Sequence, residues 1–150
     1  MKAFHFKLET LLKLRQANRE KALRSYGLAV EKTEQLKNAI QNSKQDLENL
    51  VSKMRESRKN SFFGSEERNY QENINEVKNH IVEINGRLRN AQNIQESKRN
   101  LFLKADAQHK SLDKLGKKQR SEHNKIEAKK EELEIDDIVS ARFSYHFKQS

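Results

Sequence analysis

The sequence predicts an all-α chain folded as a long antiparallel two-helix coiled-coil hairpin, and three observations carry that expectation. Only 33% of the 150 residues are hydrophobic while 35% carry charge, too little apolar surface for a thick globular core. Proline is absent and glycine occurs four times, so the residues that cut a chain into short elements are nearly missing. The apolar residues are also spaced rather than scattered, and that spacing separates a helical rod from a disordered chain of the same composition.

The first arm is expected over about residues 5–60. Stepping alternately four and three residues from Leu8 gives Leu8, Leu12, Arg15, Arg19, Ala22, Tyr26, Ala29, Thr33, Leu36, Ile40, Ser43, Leu47, Leu50, Met54 and Ser57. Most of these are apolar, and a repeat of 3.5 residues keeps one stripe turned toward a partner helix. The turn is placed at about 61–65, where Phe62, Phe63 and Gly64 interrupt the pattern. Gly64 is expected in the left-handed conformation, with Ser65 and the two acids after it opening the next helix.

The second arm is expected over about 66–140, with a seam of Tyr70, Ile74, Val77, Ile81, Ile84, Leu88, Ala91, Gln95, Lys98, Phe102, Ala105, His109 and Leu112, continuing more weakly through Ile126 and Leu133. An antiparallel register in which facing residue numbers add to about 124 pairs Leu12 with Leu112, Ile40 with Ile84 and Leu50 with Ile74, and sets Ala22 opposite Phe102. The whole of 1–150 is then a single hairpin. Residues beyond about 123 have no first-arm partner and form a C-terminal overhang that still carries Ile126, Leu133, Ile138 and Phe143.

Charge and composition narrow the function. The net charge of +9 favours an acidic partner, and basic residues concentrate between Lys110 and Lys130. Cysteine is absent, which fits a reducing compartment, and the N-terminus lacks the apolar run of a signal peptide or membrane span, so a cytoplasmic protein with at most peripheral membrane association is expected. The glycines are isolated, so no phosphate-cradling loop is present, and no two of His5, His80, His109, His123 and His146 lie three or four apart as metal ligands on adjacent helical turns would. Adjacent acids such as Glu131 and Glu132 point in different directions on a helix. The expectation is therefore a binding protein with no cofactor, no metal and no catalytic residues. A basic coiled coil that binds nucleic acid is an alternative on charge alone, but aromatics interleaved for base stacking are lacking, and no nucleic-acid partner is expected.

The two ends are more specific. Phe4-His5-Phe6-Lys7-Leu8-Glu9-Thr10-Leu11-Leu12-Lys13-Leu14-Arg15 resembles the opening of the flagellar export protein FliJ family, and the stretch from Glu131 to Phe143, an acidic pair followed by a basic-aromatic exit, is similar to that family's close. The resemblance implies a soluble, stalk-like component of the flagellar type III export apparatus. Its implied partners are the hexameric export ATPase, the cytoplasmic domain of the export gate and export chaperones. The equivalent stalk of a virulence secretion system has the same size and shape and is the alternative. On this resemblance the ATPase is expected at the end where the termini meet, on Phe4, Phe6, Leu8, Leu12, Ile126, Leu133, Ile138 and Arg142. The gate or chaperones are expected toward the turn, around Leu47, Leu50, Tyr70, Val77 and Ile84.

Overall fold

A computed structural model describes residues 2–60 and 64–149, with side chains as far as His146. It contains two α-helices, α1 (Glu9–Lys59) and α2 (Gly64–Gln149), and no strand among the described residues. The fold is the expected antiparallel helical hairpin. Its elements differ at three boundaries. Residues 2–6 lie outside any helix, with Phe4 and Phe6 half-buried and Lys2, Ala3 and His5 exposed as in an extended segment, and α1 starts at Glu9, four residues later than the first arm was expected to begin. α2 runs on to Gln149, past the expected end near 140, because no glycine or proline follows Gly116 to stop it. Gly64 is the first residue of α2 and has no positive φ, which corrects the left-handed conformation expected for it. Ser65 consequently sits inside the first turn, and Phe62 and Phe63 lie outside the described residues.

The chain divides into two compact units, one of residues 21–103 and one of residues 1–20 with 104–150. In the first of these, α1 and α2 run antiparallel around a one-layer seam. Thr33, Ile40 and Met54 of α1 and Ile74, Ile84 and Ala91 of α2 are buried, Ile84 with 4% of its surface exposed. The polar member of this row is satisfied locally: the Thr33 hydroxyl donates to the Ala29 carbonyl at 3.0 Å. Phe102 stacks on Tyr26 with ring centroids 6.4 Å apart and planes 4° from parallel, one helical turn along from its expected neighbour Ala22. Nearer the turn, Ser57 and Tyr70 share a hydrogen bond of 3.3 Å and Arg58 pairs with Glu67 at 2.6 Å.

In the second unit the seam begins with charge. Two seam positions there are arginine, and each has a partner. Arg15 donates to the Gln108 carbonyl at 3.1 Å, and Arg19 reaches Asp106 at 2.6 Å. Asp106 also takes Lys110 at 2.8 Å, and its side chain is 14% exposed. The hydrogen bond from Arg19, then that from Lys110, holds the Asp106 carboxyl below its ordinary value, against a smaller opposing effect of burial. Leu112, with 6% exposed, closes the two-helix part of this unit.

Candidate partner-binding surfaces

At the end that carries both termini, α1 stops short and an extended strap takes its place. An extended chain rises about 3.3 Å per residue against 1.5 Å for a helix, so each strap residue covers roughly two residues of α2. Phe6 lies on Gly116, its ring carbons 3.1 and 3.2 Å from where a Cβ would sit. Phe4 lies farther along, 5.5 Å from the His123 ring and 5.6 Å from the Arg120 guanidinium, a cation–π contact. The His123 ring nitrogen Nε2 donates to the Lys2 carbonyl at 3.0 Å. Between strap and helices is a cleft of about 310 Å³, lined by Leu12 and by charged residues that include Glu9, Asp113, Lys117 and Arg120.

Past Leu112 the buried and half-buried positions of α2 are Asp113, Gly116, His123 and Glu127, not Ile126 and Leu133. Ile126 and Leu133 are each 55% exposed, which corrects the expected continuation of the seam. Gly116 and His123 still keep the heptad count from Leu112; the spacing fails at Glu127, where no second helix imposes it. Gly116 and Glu127 are eleven residues apart, the spacing of a helix that is not wound into a left-handed supercoil. Glu127 is 8% exposed with Lys130 at 3.8 Å, and no feature of the sequence marked it.

From Ala128 to His146 every residue of α2 is exposed. Ile135 (60%), Ile138 (54%) and Val139 (59%) share a face, and Arg142 falls on it. Leu133 does not. Five residues from Ile138, it points about 140° away around the helix. Of the eight residues assigned to ATPase contact, the structure thus brings Phe4, Phe6 and Leu12 together on the inside of the strap and leaves Leu8, Ile126, Leu133, Ile138 and Arg142 exposed, on more than one face. Ile135 and Val139 were missed, although their four-residue spacing was legible.

In the unit of residues 21–103, Leu47, Leu50, Tyr70 and Val77 are half-buried and Ile84 is buried, so the residues assigned to gate or chaperone face the partner helix as seam positions. The exposed apolar surface of this unit flanks them. Leu28 is 67% exposed, and Ile94 (54%) borders a groove of about 220 Å³ floored by Ala29, Leu36 and Ala91 with Lys32 and Arg87 at its edge. Sequence reasoning passed over Leu28 and Ile94 because they fall between heptad positions, while Ala29, Leu36 and Ala91 are seam positions.

Among the described residues no cluster of three or more histidine, cysteine or acidic side chains could hold a metal, and no helix is long and apolar enough to cross a membrane. Lys110, Lys117 and Lys130 are 73%, 78% and 63% exposed, so the basic run is a solvated face of α2.

No curated protein and no solved structure matches the chain. A family model does, the one described as flagellar FliJ protein, and it spans residues 4–146, from the strap through both helices and almost all of the overhang. The chain therefore belongs to the flagellar FliJ protein family.

Proposed function

We propose that this chain is a stalk-like coiled coil of the flagellar export apparatus whose terminal end binds the hexameric export ATPase. Family membership supports the general role in flagellar export. The finer reading rests on one observation: the overhang is exposed all round from Ala128 to His146, and its apolar residues Leu133 and Ile138 point to different sides. A partner with a flat or grooved surface covers one stripe of a helix, so apolar residues on two faces are better matched by a partner that surrounds it. A ring-shaped hexamer is such a partner. The basic run from Lys110 to Lys130 then steers the helix toward an acidic entrance. The cytoplasmic domain of the export gate and the chaperones are assigned to the exposed flank of residues 21–103, and membrane association is peripheral, through those partners. The protein acts by contact and has no chemistry of its own.

The test is capture of purified export ATPase by the chain and by the single variants Leu133→Asp and Ile138→Asp. Both side chains are more than half exposed, so helix content should hold. Each variant is expected to weaken capture at least tenfold. Loss with one variant and none with the other would mean a one-sided partner and refute the surrounding ring; no loss with either would remove the overhang from the contact altogether.

A further inference from the structure

We propose that residues 2–8 are a hinged strap that opens and closes on α2, with Gly116 as its catch. The strap is separate from the helical seam that holds α1 to α2. Its residues are extended up to Phe6, and it joins α1 through a turn in which the Glu9 amide donates to the Phe6 carbonyl at 3.1 Å and the Leu12 amide to the Leu8 carbonyl at 2.8 Å. Inward and outward residues alternate: Phe4 and Phe6 are half-buried, while Lys2, Ala3, His5 and Lys7 are exposed. Two rings and the Lys2–His123 hydrogen bond hold it down. A segment with so few anchors opens by itself far more readily than the hairpin unfolds.

The catch is a matter of shape. Phe6 fits because position 116 has no side chain; a Cβ there would stand 3.1 Å from the ring edge, tighter than ordinary packing, and a branched side chain would occupy the ring's place. The glycine is otherwise a poor choice, since it sits in the interior of an 86-residue helix, where glycine is less favourable than alanine. Nothing in the helix itself needs it, because α2 is unbroken there. The ring of Phe6 does.

Opening changes how much of α2 is exposed. From Gly116, Arg120 and His123 lie beneath the strap and Glu127 is buried one turn past them; the same face, followed by steps of three or four residues, then carries Lys130, Glu134, Ile138 and Ala141, all exposed. With the strap closed, the accessible stripe starts after Glu127; with it open, the stripe runs unbroken from Gly116. The strap thus sets the length of helix that any partner of the overhang can grip. That last consequence depends on the overhang being a docking site, as proposed above, but the opening does not.

The chain has no cysteine, so spin labels can be placed singly at Ala3 and Asn124, both exposed, in the full-length protein. Pulsed electron–electron distance measurement should give a short, narrow distribution. In Gly116→Val the distribution should become broad and long, with far-ultraviolet helicity and the melting midpoint of the hairpin nearly unchanged. Phe6→Ala should open the strap by removing the other half of the contact, and it decides the matter if Gly116→Val disturbs the helix. A broad distribution in the unaltered chain would show that the strap is not held, and a narrow one in both variants would show that Gly116 and Phe6 do not hold it; either overturns the proposal. ATPase capture by Gly116→Val, measured alongside, should strengthen severalfold. Opening without a change in capture would leave the strap intact as a device and count against the docking role of the overhang.

Discussion

Ile84 is the most deeply buried of the core residues and faces α1 across a seam one side chain thick, so it is the place to test what holds the hairpin together. Ile84→Ala removes three carbons. At about 0.8 kcal/mol per buried methylene, and with 4% of the residue exposed, the loss is about 2.3 kcal/mol. Measured Ile→Ala costs of about 2–5 kcal/mol in globular cores include the cavity left behind. Here solvent stands on both sides of the seam, so the gap can collapse or fill with water and the value should fall at the low end. For a domain of this length that is a fall in melting midpoint of about 4–9 °C. Val82, 71% exposed and two residues away on the same helix, is the control: Val82→Ala should move the midpoint by less than about 1 °C in either direction. Thermal melts followed by circular dichroism at the helix minimum read both. Equal shifts in the two variants would mean that the seam is not the source of stability and that the long helices stand on intrinsic propensity alone.

The Asp106 pair is sensitive to acid in a defined direction. Its folded pKa is depressed, chiefly by Arg19, so its contribution is complete above the unfolded carboxylate value and disappears as the pH falls through the folded one. Asp106→Asn should lower the melting midpoint at neutral pH and flatten its decline toward acid; an unchanged acid limb would refute the pairing. Association with the ATPase should slow as salt rises from 0.05 to 0.5 M, at least about fivefold on Lys110–Lys130 steering, as read by stopped-flow, and a salt-independent rate would exclude that steering. The purified chain should hydrolyse no nucleotide alone; turnover that persists through further purification would contradict a role confined to contact.

The two-helix part of the fold was legible because a heptad is a statement about geometry. Every position of the predicted seam from Leu12 to Ser57 and from Tyr70 to Leu112 is buried or half-buried, including Arg15, Arg19, Gln95 and Lys98, which hydropathy by itself would have placed outside. Legibility ended where the second helix ended. Beyond Leu112, Gly116 and His123 still fell on the heptad count, but past them no partner helix enforced it: Ile126 and Leu133, which kept the count, are exposed, and the covered stripe moved to Glu127. The strap had a signal that went unused: Phe4 and Phe6 alternate with His5 and Lys7 at a period of two, the pattern of an extended segment and not of a first helical turn. Gly116 showed nothing in sequence, because its meaning lies in a ring 110 residues earlier.

The strap's extended rise also governs what an experimenter may attach. Because Lys2 is delivered alongside His123, a purification tag or fluorescent fusion placed ahead of it starts not at the tip of α2 but beside His123, five residues before the exposed stretch. A fusion there stands at the entrance to the surface assigned to the ATPase, and its bulk would register as weak binding in an otherwise intact protein. A label on an exposed residue of 21–103 leaves the strap and the stripe of α2 beneath it unaltered.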